Sequence, residues 1–165
     1  MKFAALMSCT AVAALLAQTT VLASAPLRGF APDLSLLLCV YLGLRAPSPG
    51  GALGAFAVGY LQDAFSGNVL GLHAFALSAV FLSVYFAARQ LWVENPLSQV
   101  FLFFVASVEK SLLVLLLTGL FLSAVAGAAS LLTLALWQAV LAALFGPPLL
   151  FLLGRLFPDL PEEEA

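Results

Sequence analysis

From Leu97 to Val125 the chain carries only two ionisable residues, Glu109 and Lys110, in a run dominated by Leu, Phe and Val. In water such a run could not cover its own surface. In a bilayer it is a span, because lipid offers backbone N–H and C=O groups no partners and a helix pairs them internally. Similar runs recur along the sequence. Charged residues make up 8% of it, against about 25% in a soluble domain, so the solvent for most of the chain is lipid. A spanning helix takes roughly 20 residues, and five or six spans in 165 residues leave only short loops. The predicted fold is an all-α integral membrane protein, a bundle of about six transmembrane helices. It forms one domain over residues 1–157, followed by an acidic tail at 158–165.

The first segment is read as Phe3–Ala25. Ala23-Ser24-Ala25 has the small residues of a signal-peptide cleavage site, but Pro26 is a poor residue to follow the cut, and the apolar run exceeds a typical signal core. An uncleaved span is therefore expected. The second segment, Pro32–Ala46, lies between Asp33 and Arg45. Its 15 residues rise only about 22 Å, short of a bilayer core of about 30 Å, so it is either a short span or a re-entrant piece. Pro47 and Pro49 end it. The third segment is Gly50–Ser66, with a tight turn expected at Gly67-Asn68. The fourth is Val69–Arg89, ended by Glu94-Asn95-Pro96. The fifth is Leu97–Val125 and the sixth Ser130–Phe157, where Gly146-Pro147-Pro148 should kink or interrupt the helix.

Charge sets the expected topology, since Lys and Arg collect on the cytoplasmic side of short loops. Six spans with a cytoplasmic N-terminus place Lys2, Arg45, Arg89 and Arg155 inside and only Arg28 outside. If the second segment failed to cross, Arg28, Arg45 and Arg89 would all face out. The charges thus favour a short but real span, with both termini cytoplasmic.

Ionisable residues at mid-helix cost about 2.5–3.5 kcal/mol each on insertion scales, so they mark protein-facing positions. Asp63 is the most informative. Gly51, Ala55, Gly59 and Asp63 fall four apart and share one helix face, and small residues at that spacing let helices approach closely. Asp63 is expected in a helix contact, level with Asp33, His73 and Arg28 at the outer ends of the first four helices. Either these form one polar cluster that fixes packing or docks a partner, or each is an independent interfacial residue. Packing is the favoured role for His73 over a proton relay. Glu109 and Lys110 point about 100° apart and do not pair well with each other. Each is expected to meet polar groups on another helix, with Lys110 free to snorkel; a coupling-ion or substrate site is the lesser reading.

No enzyme signature emerges. One histidine, the apolar-embedded Cys9 and Cys39, and scattered hydroxyls make no nucleophile–base–orienter set. No cysteine spacing suggests a metal, no glycine loop suits a phosphate-bearing cofactor, and six dispersed Lys and Arg make no nucleic-acid surface. No cofactor is expected, and the lipid bilayer is the one partner that composition implies.

Pro32-Asp33-Leu34 opens an apolar run ending Tyr41-Leu42-Gly43-Leu44-Arg45. A glycine-rich helix follows, ending Gly59-Tyr60-Leu61-Gln62-Asp63-Ala64-Phe65-Ser66-Gly67, and then Leu70-Gly71-Leu72-His73-Ala74. This series, over about residues 32–89, resembles the MreD family of bacterial rod-shape-determining membrane proteins. Overall length and span number are similar too. The resemblance implies a fold like the S components of energy-coupling-factor vitamin transporters. It also implies a place in the inner membrane, in the machinery that builds the lateral cell wall, with MreC, the actin-like MreB and wall-synthesis enzymes as partners. The alternative is a substrate-binding S component itself, though the short outer loops offer few groups to hold a polar ligand.

Overall fold

In the computed structural model, the structure describes residues 33–66, 69–90, 95–122 and 128–156. The expected span at Phe3–Ala25, the turn at Gly67-Asn68, Arg28 and the acidic tail lie outside the described residues. Five helices follow in order: α1 (Leu34–Arg45), α2 (Pro49–Ser66), α3 (Leu72–Gln90), α4 (Pro96–Leu122) and α5 (Ala128–Leu156). No strand occurs among the described residues.

Local chemistry sets the boundaries. Asp33 caps α1, its Oδ1 accepting from the N–H groups of Ser35 and Leu36 at 3.1 and 3.2 Å. Ser48 precedes Pro49, and its Oγ accepts from Gly51 N–H at 3.3 Å. Asn95 likewise precedes Pro96, its carbonyl accepting from Gln99 N–H. A capping residue followed by proline is a favoured helix start, because the first helical N–H has no intrahelical partner to lose.

α1 forms the centre. Every residue from Ser35 to Gly43 is buried, as suits a helix that is apolar all round. It packs against α2, α3, α4 and α5. Cys39 Sγ donates to the Leu77 carbonyl at 3.1 Å, and Gly43 lies against Val84. Contacts that rise together along both helices make α1 and α3 parallel. Asp63 at the end of α2 meets His73 at the start of α3, so α2 runs antiparallel to both. Arg45 and Arg89, each in the last turn of its helix, therefore share one end of this unit, and Asp33, Asp63 and His73 share the other.

Among the described residues, three helical stretches are long and apolar enough to cross a membrane, Leu72–Gln90, Pro96–Leu120 and Thr133–Arg155, while α1 is a shorter apolar helix. The count of six spans is thus not established. With 12 residues, α1 rises about 18 Å, and α2 dilutes its apolar content with glycines, Gln62 and Asp63. Of the kink or interruption expected at Gly146-Pro147-Pro148, the interruption does not occur: α5 runs on through Pro147 and Pro148. Unwinding a helix in lipid strands many polar groups, whereas neighbouring groups can re-satisfy the few that a proline frees. Gly146 has a different use: a Cβ there would lie 2.3 Å from the Phe103 ring, so its bare backbone seats a buried aromatic of α4.

Candidate functional site

The face of α2 that turns inward carries Gly51, Ala55, Val58, Gly59 and Asp63, while Leu53, Phe56 and Tyr60 are exposed. The absence of side chains brings α3 very near. A Cβ on Gly59 would fall 2.5 Å from Ala74 Cα and 2.6 Å from the His73 carbonyl oxygen. One turn further on, that approach delivers the Asp63 carboxylate to the first turn of α3.

Asp63 is 0% exposed, yet its acceptor sites are well used. Oδ2 accepts from the N–H groups of Gly71 at 3.0 Å and Ala74 at 3.2 Å. His73 N–H is shared between both oxygens at 3.0 Å, and His73 Nδ1 lies 2.7 Å from Oδ1. A helix start leaves its first N–H groups without intrahelical partners and carries a partial positive charge. Asp63 supplies both the acceptors and the opposite charge, capping α3 from a different helix. Gly71, at φ +96°, lets the chain turn into α3 in a conformation other residues rarely adopt.

A second cluster joins three helices beside it. Lys110 of α4 is buried and pairs with Asp33 Oδ2 at the start of α1. The same ammonium donates to Gln62 Oε1 of α2 at 3.3 Å. Asp33 thus caps its own helix and neutralises a buried cation. Glu109 turns elsewhere and accepts from Ser83 Oγ of α3 at 2.6 Å.

Of the residues singled out in the sequence, Asp63, Gly59 and His73 come together directly, with Ala55 and Gly51 continuing the same contact. Asp33 belongs to the neighbouring cluster, and Glu109 and Lys110 serve different partners. Gln62 and Ser83 were not singled out. Gln62 is legible only in the run Gln62-Asp63, and Ser83 is one serine among several on apolar helices. Among the described residues no group of His, Cys, Asp and Glu could hold a metal ion. Each of these contacts joins residues of different helices.

The family model for the rod shape-determining protein MreD matches residues 1–156. The chain belongs to the MreD family. Its members are shape-determining membrane proteins rather than a known enzyme family, which agrees with the long apolar helices of this chain. No curated protein and no solved structure matches it. In this MreD-family chain the Gln-Asp…Leu-Gly-Leu-His series has a physical content: Asp63, Gly71 and His73 build the α2–α3 junction, and Gln62 meets Lys110 of α4.

The closeness at Gly59 gives a sharp expectation. Gly59→Ala sets a methyl against α3 backbone, which cannot rotate away, and overpacking of this kind typically costs about 1–3 kcal/mol. Gly54→Ala meets only the tip of Leu42 at 3.3 Å and should be nearly neutral. Thermal unfolding of the two detergent-purified variants checks this; equal melting points would show that the α2–α3 approach is not tight.

Proposed function

We propose that this protein is a non-enzymatic membrane component of the bacterial cell-wall elongation machinery. In this reading it controls rod shape and lateral peptidoglycan synthesis together with an MreC-like protein, an MreB-like filament and wall-synthesis enzymes. The observation that carries the reading is the family match across nearly the whole chain. It favours this role over the alternative of a vitamin-transporter S component. In a rod-shaped host, deletion is expected to give widened or rounded cells, restored by the wild-type chain. A deletion strain of normal width and normal wall insertion would sink the proposal.

The finer architecture we propose is six spans in an S-component-like bundle in the inner membrane, with segment Phe3–Ala25 as the first span, preceding α1, and both termini cytoplasmic. Its support is the charge distribution, including the placement of Arg45 and Arg89 at one end of the α1–α3 pair. Topology reporters at Gly67 and after Glu164 are expected to read periplasmic and cytoplasmic respectively. A cytoplasmic signal at Gly67 overturns this orientation. Within that bundle, the Asp63–His73 junction and the Asp33–Gln62–Lys110 cluster serve packing, holding α1 to α4 in one arrangement for partners to read.

A further inference from the structure

Asp63 and Lys110 sit among ligands supplied by their own chain. Glu109 does not fit that pattern. It lies midway along α4, thirteen residues from Pro96 and thirteen from Leu122, about 20 Å from either end at 1.5 Å per residue. Its carboxyl accepts from Ser83 Oγ at 2.6 Å in an exposed pair, on the outer seam between α3 and α4. Ser83 is itself exposed and Glu109 only half-buried. Around them the surface is apolar, with Leu82, Phe86, Val105 and Leu112 exposed. A half-buried carboxyl at this depth is costly where lipid reaches it, and one serine hydroxyl fills only one of its several acceptor sites.

The surface beside it is shaped for a helix. Ala79, Ser83 and Ala87 recur four apart along α3 and are half-buried, exposed and half-buried in turn, leaving a shallow track of small side chains. Such a track admits close helix approach in a membrane. The acid at its edge states what the approaching helix must carry: a charge of opposite sign at the same depth.

We infer that the Ser83–Glu109 seam is the docking site for a transmembrane helix of a second protein bearing a Lys, Arg or His at mid-membrane depth. Lipid alone supplies no cation at that depth. A second copy of this chain would have to offer Lys110, which is already buried against Asp33 and Gln62. The inference does not depend on the role in cell shape, because it concerns what covers this surface and not what the assembly does.

The test uses the full chain in its native membrane. A photo-crosslinking amino acid is placed at Leu112, one turn from Glu109, and as a control at Leu144, exposed on α5. The expected adduct from Leu112, mapped by mass spectrometry, falls within a transmembrane segment of another protein, within one helical turn of a basic residue. Its yield should drop at least tenfold in Glu109→Leu, and clearly in Glu109→Gln, which keeps the bond to Ser83 and loses the charge. Glu109→Gln therefore decides the matter if Glu109→Leu fails to accumulate. Combining Glu109→Lys with an acidic substitution of the partner's basic residue should restore the adduct. Adducts to lipid only, to a second copy of this chain or to a segment without a basic residue overturn the proposal. So does a yield indifferent to Glu109. Normal cell shape in the deletion strain would sink the cell-shape role and leave this result standing.

Discussion

Asp63→Leu is expected to abolish accumulation of the protein or its function. The substitution takes the acceptor from the N–H groups of Gly71, His73 and Ala74 at once. A buried donor left without a partner costs about 1–3 kcal/mol. Even with one of the three rehydrated, several kcal/mol disappear, a large share of a total stability of about 5–15 kcal/mol. The branched side chain also has no free space where Gly59 holds α2 against α3. Asp63→Asn separates hydrogen bonding from charge. The amide oxygen can occupy the Oδ2 position and keep the bonds from Gly71 and Ala74. The amide NH2 then faces His73 Nδ1, which can accept if the ring proton moves to Nε2. What is lost is the negative charge against the helix start, about 0.3–1 kcal/mol and up to about 2 in a partly buried site. Asn is therefore expected to retain most of the protein in the membrane, and Leu very little, by immunoblot of membrane fractions and by cell width in a complementation assay. Full activity of the Leu variant at normal abundance would show that the α3 cap is dispensable. Failure of both variants at normal abundance would assign Asp63 a role in which charge itself matters.

The second large effect is at Lys110. Removing one partner of a buried ion pair typically costs up to about 3–5 kcal/mol. Lys110→Leu takes the cation from Asp33 Oδ2 and the donor from Gln62 Oε1, while Asp33 Oδ1 keeps its bonds from the Ser35 and Leu36 N–H groups. The revealing variant is the double one. In Lys110→Leu with Asp33→Ser, the serine hydroxyl can still accept from the first turn of α1, as serine does well at helix starts, and no charge remains. Thermal melting in detergent should show a large drop for the single variant and recovery of most of it in the double. If the double variant melts as low as the single, the pair is not what ties α4 to α1. The same geometry makes Asp33→Ala harmful as well: the change strips the cap from α1 and takes the paired carboxylate from Lys110.

What the sequence determined is the part governed by local chemistry and solvent. A chain this apolar has lipid as its solvent, and lipid enforces helices. Hence the second segment, read as Pro32–Ala46, appears as Leu34–Arg45, and the fifth, read as Leu97–Val125, as Pro96–Leu122. The inward face of α2 was legible for the same reason, because Gly51, Ala55, Gly59 and Asp63 repeat with the period of a single helix. What only the tertiary structure decided is which distant group meets which. Lys110 pairs with Asp33, 77 residues away, and not with its neighbour Glu109, because helix order and tilt choose among polar partners that composition leaves equivalent. Asp63 caps a helix other than its own for a related reason. Nothing in a one-dimensional pattern states that the close approach at Gly59 carries the next turn of α2 to the open N–H groups of α3. Pro147 and Pro148 stay helical because unwinding in lipid would strand more backbone groups than the two prolines free, a balance that depends on the neighbours α5 packs against.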